Sequence, residues 1–108
     1  MTVKILGTKY FIYEKSEQED ALLLTHDAYC DKTSKKIVYV AKPADTNLEN
    51  WDVYRRKLIR HEIIHAFLYE SGLHECWQHS NGHDETMIDW IAAQFPKIKK
   101  AFKQANCD

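Results

Sequence analysis

Two histidines four residues apart are the side chains of this sequence with the clearest potential for chemistry. They stand in the stretch His61-Glu62-Ile63-Ile64-His65, with a glutamate directly after the first histidine. On a helix, residues at i and i+4 lie on one face with Cβ atoms about 5–6 Å apart, so both imidazoles can reach one metal ion. Glu62 lies one residue around the helix from His61, where it can take the proton of an attacking water.

A plainer interpretation of the same stretch is a pair of surface histidines with a salt-bridging glutamate and no metal. The neighbouring side chains are apolar: Ile63, Ile64, Phe67 and Leu68. They predict that the segment is buried. Burying two histidines and a glutamate costs free energy unless each has a partner, and a metal ion supplies one. The surroundings therefore favour a zinc site on a helix.

A third protein ligand is required, because a catalytic zinc site typically takes three and leaves a position for water. The candidates that follow the pair are Glu70, His74, Cys76, His79, His83 and Glu85. Glu70 is on the same helix and would face elsewhere. Glu85 and Asp89 are four residues apart and share a face of the next predicted helix. One of them can bind the metal while the other accepts the free N–H of a ligand histidine.

Two alternatives for these downstream residues stay open. Glu85 and Asp89 could form the exposed acidic edge of an amphipathic helix. A fourth ligand from His79, His83 or Cys76 would close the site and make it structural instead of catalytic. In that case zinc would stabilise a non-catalytic regulatory or partner-binding domain.

The order of these motifs resembles a known group of enzymes. A helix with His-Glu-x-x-His, followed by a helix with a glutamate and an aspartate four residues on, is similar to the gluzincin pattern. Metzincin spacing is excluded by Leu68 and Ser71, and SprT-like spacing by Glu70. The chain most resembles small phage and prophage HExxH zinc metallopeptidases with an ImmA/IrrE-like minimal fold. The similar stretches are RHEIIHAFLYESGL and ETMIDWIAAQFPKI, within roughly residues 28 to 105.

This resemblance implies a zinc metalloendopeptidase that binds one Zn²⁺ per chain through His61, His65 and Glu85. It implies that Glu62 is the general base and that Asp89 orients His61. The substrate would be a peptide or protein, and so short a chain favours a narrow choice of substrate. The candidates for a donor to the oxyanion are Tyr29, His79 and His83.

Length, charge and cysteine content limit the other possibilities. With 108 residues, the chain predicts a single domain that spans residues 1–108. A net charge of −1 offers no argument for a nucleic-acid partner. No apolar run reaches the ~20 residues of a membrane span, so no membrane partner is expected. Three widely spaced cysteines and a start unlike a signal peptide predict plain thiols in a cytoplasmic protein.

The predicted fold class is α+β, with small N-terminal antiparallel β-hairpins packed on the long motif helix. Alternating residues on both sides of Gly7-Thr8 predict a first hairpin with its turn there. Residues 28–31 and 37–40 predict a second hairpin. Because zincins usually bind peptides at a sheet edge, Tyr29 to Asp31 or Ile37 to Val40 could supply that edge.

The motif helix is expected to be long and to be followed by two further C-terminal helices. Thr46 and Glu49 have the capping-box form, so the helix should begin there. It should run for about 24 residues to Ser71-Gly72, where glycine suits a left-handed stop. Pro96 is expected to end the second helix and to open the third.

Overall fold

The order of the elements is strand, strand, strand, strand, helix, helix. The computed structural model describes residues 1–74 and 85–108, without the side chains of Glu85, Thr86, Ile88, Asp89 and Ala92. The strands are β1 (Thr2–Ile5), β2 (Thr8–Lys15), β3 (Ala28–Asp31) and β4 (Lys36–Val40). The helices are α1 (Trp51–Glu70) and α2 (Glu85–Gln104), and a short 3-10 turn at Ala21–Leu24 precedes β3. The predicted α+β class is confirmed.

The two predicted hairpins are present, and they join into one four-stranded mixed sheet. The strand order is β1-β2-β4-β3. Within each hairpin the strands are antiparallel, but β2 and β4 pair in parallel. The expectation of a purely antiparallel sheet was therefore wrong. Since β4 has a partner on both sides, Ile37–Val40 is not an edge, and β3 is the edge strand of the second hairpin.

The first hairpin turns one residue earlier than predicted, at Leu6-Gly7. Ile5 pairs with Thr8, which leaves a two-residue loop. Both loop residues have positive φ, 49° at Leu6 and 89° at Gly7. Two-residue hairpin loops of this kind match the twist of the strands, and glycine adopts the required φ without steric cost.

Helix α1 begins at Trp51, later than the capping box predicted, and ends where expected. The side chain of Asn50 caps it by accepting a hydrogen bond from the Val53 N–H at 3.2 Å. Thr46 instead accepts from the Leu48 N–H at 3.3 Å in a local turn. Asparagine caps a helix as well as threonine does, so two start signals competed within five residues. At the C-terminal end, Gly72 has a φ of 80°, which confirms the predicted stop.

Helix α2 runs through Pro96, so the prediction of two separate C-terminal helices was wrong. A proline inside a helix removes one hydrogen bond and costs about 3 kcal/mol. The turns after it carry Ile98 and Ala101, which are 4% and 2% exposed in the core. Burial of these two side chains offsets the cost of Pro96, so the helix continues through it.

The main core lies between one face of the sheet and the two helices, and a separate small cluster contains Leu23, Val38 and Val40. Alternate strand residues enter it, as expected for strands with one buried face: Val3, Ile5, Tyr10, Ile12, Ile37 and Tyr39. From α1 come Ile59, Ile63, Ala66 and Phe67. Burial of these four residues fixes the rotation of α1 about its axis, and with it the direction of the histidine pair. Neither described helix is long and apolar enough to cross a membrane.

The rotation of α1 predicts unequal losses of stability when two adjacent isoleucines are replaced by alanine. Ile63 is 0% exposed and Ile64 is 40% exposed. We expect Ile63→Ala to lower the free energy of unfolding by about 3 kcal/mol, because it leaves a cavity in the core. The matched change Ile64→Ala should cost less than about 1 kcal/mol. Urea unfolding in excess chelator measures both, and equal losses would contradict this orientation of α1.

Candidate metal centre

The two motif histidines converge on one point beside α1. Their Nε2 atoms are 3.1 Å apart, and their ring centroids are 4.8 Å apart at an interplanar angle of 64°. Two nitrogens bound to one tetrahedral zinc at 2.0–2.1 Å would be separated by about 3.3 Å. His61 and His65 therefore have nearly the spacing of two ligands of one ion. The same contact serves as a hydrogen bond when one Nε2 carries a proton and the other does not.

The environment of His65 favours the neutral ring that a metal requires. Burial lowers the pKa of His65, and the nearby rings of His61 and His74 lower it further. A histidine binds metal only through an unprotonated nitrogen, so a lower pKa increases the fraction of protein ready to bind at neutral pH. His61, by contrast, is exposed, which leaves the pair open to solvent on one side.

Glu62 is the one buried charged residue among the side chains that the structure describes. It is 7% exposed and lies between the two histidines along α1. Burial raises the pKa of Glu62, and the charges of His61 and His26 partly oppose that rise. A carboxylate with a raised pKa is a better proton acceptor near neutral pH than an ordinary glutamate is. Its burial is a cost to folding that ordinary helix packing does not explain.

Glu70 anchors the C-terminal end of α1 to the sheet. Its carboxylate accepts hydrogen bonds from Tyr10 Oη at 2.7 Å, Lys35 Nζ at 2.6 Å and Thr8 Oγ1 at 3.2 Å. Burial alone would raise the pKa of Glu70, but these hydrogen bonds outweigh burial and hold the pKa below its ordinary value. All three partners lie on β2 or in the β3–β4 turn, in agreement with the expectation that Glu70 faces elsewhere than the histidine pair.

The predicted third ligand is on an element that packs against α1. Glu85 and Asp89 lie four residues apart in α2, and α2 contacts α1. Their side chains lie outside the described part of the chain, so their roles stay predictions. His79, His83 and Cys76 fall in residues 75–84, which are also outside it. Among the described residues, no group of three or more His, Cys, Asp or Glu side chains could hold a metal.

Tyr29 and Cys30 on β3 have structural roles. The Tyr29 hydroxyl donates to Asp20 Oδ2 at 2.5 Å, and its ring packs beside Leu23 and Val38. Burial, with the negative charge of Glu62, raises the pKa of the Cys30 thiol to about 12. The thiol is therefore protonated at neutral pH, as the plain-thiol interpretation predicts.

A cavity of about 260 Å³ opens beside His61 and Glu62. The residues that line it include His26, Asp27, Tyr54, Lys57, His61 and Glu62. Tyr54 donates a hydrogen bond to Asp27 Oδ2, which ties the segment before β3 to α1. His26 Nδ1 lies 2.9 Å from Thr25 Oγ1, which leaves Nε2 for a ligand.

His26 was missed by sequence reasoning. It lies 35 residues before His61 and belongs to no recognisable spacing with the motif. His26 reaches the cavity only because the segment that follows the 3-10 turn packs against α1. A local signal could not have identified it.

Comparison of the chain with protein-family models, curated proteins and solved structures finds no match. The resemblance to phage and prophage zinc metallopeptidases therefore stays an interpretation of the motif. What supports a function is the geometry of His61, Glu62 and His65.

Because the Glu70 carboxylate anchors α1, we expect Glu70→Gln to lose stability in a way that depends on pH. We expect the change to lower the free energy of unfolding by about 1 to 2 kcal/mol at pH 7, because hydrogen bonds to a charged acceptor are lost. The pKa of Glu70 is lower in the folded protein than its ordinary value of 4.5. The stabilisation by its carboxylate is therefore fully present above pH 4.5, and it is lost as the pH falls through the pKa of Glu70 in the folded protein. The gap between variant and wild type should therefore shrink in acid.

Urea unfolding at neutral pH and at a pH below 4 measures this gap. The exposed Glu17→Gln is the control and should match wild type at both pH values. A loss in Glu70→Gln that stays the same at both values would show that the carboxylate charge does not anchor the helix.

Proposed function

We propose that the chain is a zinc-dependent metallopeptidase that hydrolyses peptide bonds in a narrow protein substrate. The observation that carries this proposal is the 3.1 Å approach of the two histidine Nε2 atoms beside the buried carboxylate of Glu62. In this proposal His61, His65 and Glu85 hold one zinc ion. Asp89 orients His61, as the resemblance to the gluzincins implies.

The chemistry divides between the metal and Glu62. Zinc, when bound, lowers the pKa of a coordinated water and polarises the carbonyl under attack. Glu62 accepts the proton of the attacking water and passes it to the leaving amine. The raised pKa of Glu62 suits both steps, because the group must take up the proton and then release it.

Two features beside the histidines suit an extended peptide. Strand β3 is an edge of the sheet and packs against α1, so a peptide can add as a further strand close to His61. The 260 Å³ cavity is smaller than a typical ligand pocket and suits one substrate side chain. There, His26 can donate to a substrate carbonyl oxygen, and His79 and His83 stay candidates for the same role. A small cavity of this kind favours a narrow substrate.

The test is cleavage by the zinc-loaded protein and by Glu62→Gln. Labelled casein and a mixed peptide library serve as substrates, with products identified by mass spectrometry. We expect Glu62→Gln to keep its zinc and to lose activity by at least about 100-fold, because proton transfer is lost. The exposed Glu17→Gln should cleave as wild type does.

A different result would support a zinc-stabilised domain without activity. In that case neither the wild type nor any variant would cut a peptide, and X-ray absorption of the zinc protein would show four protein ligands. Undiminished cleavage by Glu62→Gln would contradict the assignment of Glu62 as the base.

A further inference from the structure

The face of the sheet that points away from the helices carries two exposed aromatic side chains. Phe11 and Tyr13 on β2 are 41% and 42% exposed, while Tyr10 and Ile12 between them are buried in the core. Their ring centroids are 6.3 Å apart, and the ring planes differ by 14°. The two rings are therefore stacked one after the other along β2, and both contact solvent. We call these two rings the aromatic platform.

Lysines border this platform on the same strand and on the next. Lys9 Nζ lies 5.9 Å from the Phe11 ring centroid, and Lys15 Nζ lies 5.6 Å from that of Tyr13. Lys4 on β1 is the direct cross-strand partner of Lys9. Like charges directly opposite each other destabilise a sheet, and an anion bound between them would relieve that repulsion.

The positive charge continues round the β1 edge towards α2. A cavity of about 410 Å³ is lined by Lys4, Lys97 and Lys100 over the apolar side chains of Leu6 and Phe67. Lys4 thus joins the sheet face to α2. We name this set the lysine surface: Lys4, Lys9, Lys15, Lys97 and Lys100. Asp20 lies near Lys15, and the pKa of Asp20 is lowered first by the Tyr29 hydroxyl and also by Lys15.

We propose that the aromatic platform and the lysine surface together bind single-stranded nucleic acid. Flat exposed rings beside lysines suit unpaired bases, because every base can stack on an aromatic ring while lysines contact the phosphates. A duplex hides the faces of its bases and could not use Phe11 and Tyr13 in this way. The net charge of −1 is a sum over the whole chain, which is why it gave no indication of five lysines that lie on adjoining surfaces.

This site is separate from the histidine pair. The platform lies on the outer face of the sheet, whereas His61 and His65 lie on a helix that packs on the inner face. Binding of nucleic acid should therefore be the same with and without excess chelator, whatever the outcome for zinc.

The experiment is fluorescence anisotropy with labelled oligo-dT and oligo-U of about 12 nucleotides, a length within the range of small single-strand sites. We expect binding at about 50 mM salt that weakens as salt rises. Phe11→Ala and Tyr13→Ala should each raise Kd about tenfold through lost stacking. Lys9→Gln should reduce the slope of log K against log salt by about 0.7.

The matched controls are Phe95→Ala and Lys99→Gln. Phe95 is 54% exposed, and both residues lie on the side of α2 away from Lys97, since residues two apart on a helix are about 200° apart. These variants should bind as wild type does. Thermal unfolding of every variant checks that a change in affinity is not caused by a loss of the fold.

Heparin, a polyanion without bases, separates stacking from charge attraction. Wild-type affinity in both Phe11→Ala and Tyr13→Ala would overturn the proposal, because the bases would then not use the platform. Binding of heparin without binding of either oligonucleotide would overturn it too. So would the absence of oligonucleotide binding at low salt.

Discussion

Burial of one face of α1 against the sheet is the constraint on which the rest of the structure depends. Ile59, Ile63, Ala66 and Phe67 occupy that face and are almost entirely removed from solvent. Because these residues fix the rotation of the helix, His61 and His65 can only project along its margin. The hydrogen bonds to Glu70 then hold the C-terminal end of the helix on β2 and on Lys35. The convergence of the two imidazoles follows from this packing.

Glu62 is the one place where this packing includes a charge. A carboxylate in that position works against folding, because burial removes it from water and raises its pKa. An apolar residue would pack there at lower cost. Glu62 stands between His61 and His65 in α1, and it lines a cavity that His26 and His61 also line. A buried group with a shifted pKa that lines a cleft is a candidate for a functional site.

Features that depend on neighbouring residues were predictable from the sequence, and those that depend on distant ones were not. The helix of the histidine pair, its stop at Gly72 and both hairpins follow from local periodicity and turn residues. The parallel pairing of β2 with β4 joins segments about 25 residues apart, and no local pattern specifies it. Pro96 is a helix breaker by local rules, yet burial of Ile98 overrides it.

The residues of the candidate site also differ in whether neighbouring or distant parts of the chain position them. Spacing alone identified His61, Glu62 and His65, because one helix turn brings them together. The contribution of His26 comes from a different segment and needs the fold. For Glu85 and Asp89 on α2, helical spacing predicts that both residues share one face of the helix. It does not predict whether that face points towards α1.

The most direct test of a metal centre is the zinc content of the purified chain, compared between wild type and Glu85→Ala by elemental analysis. We expect about one zinc per chain in the wild type and a sharp fall in the variant, because catalytic zinc needs three protein ligands. Full retention of zinc in Glu85→Ala would assign the third ligand to residues 75–84. A wild type that takes up no zinc, even when zinc is added, would contradict the account and leave His61 and His65 as a hydrogen-bonded pair on a helix.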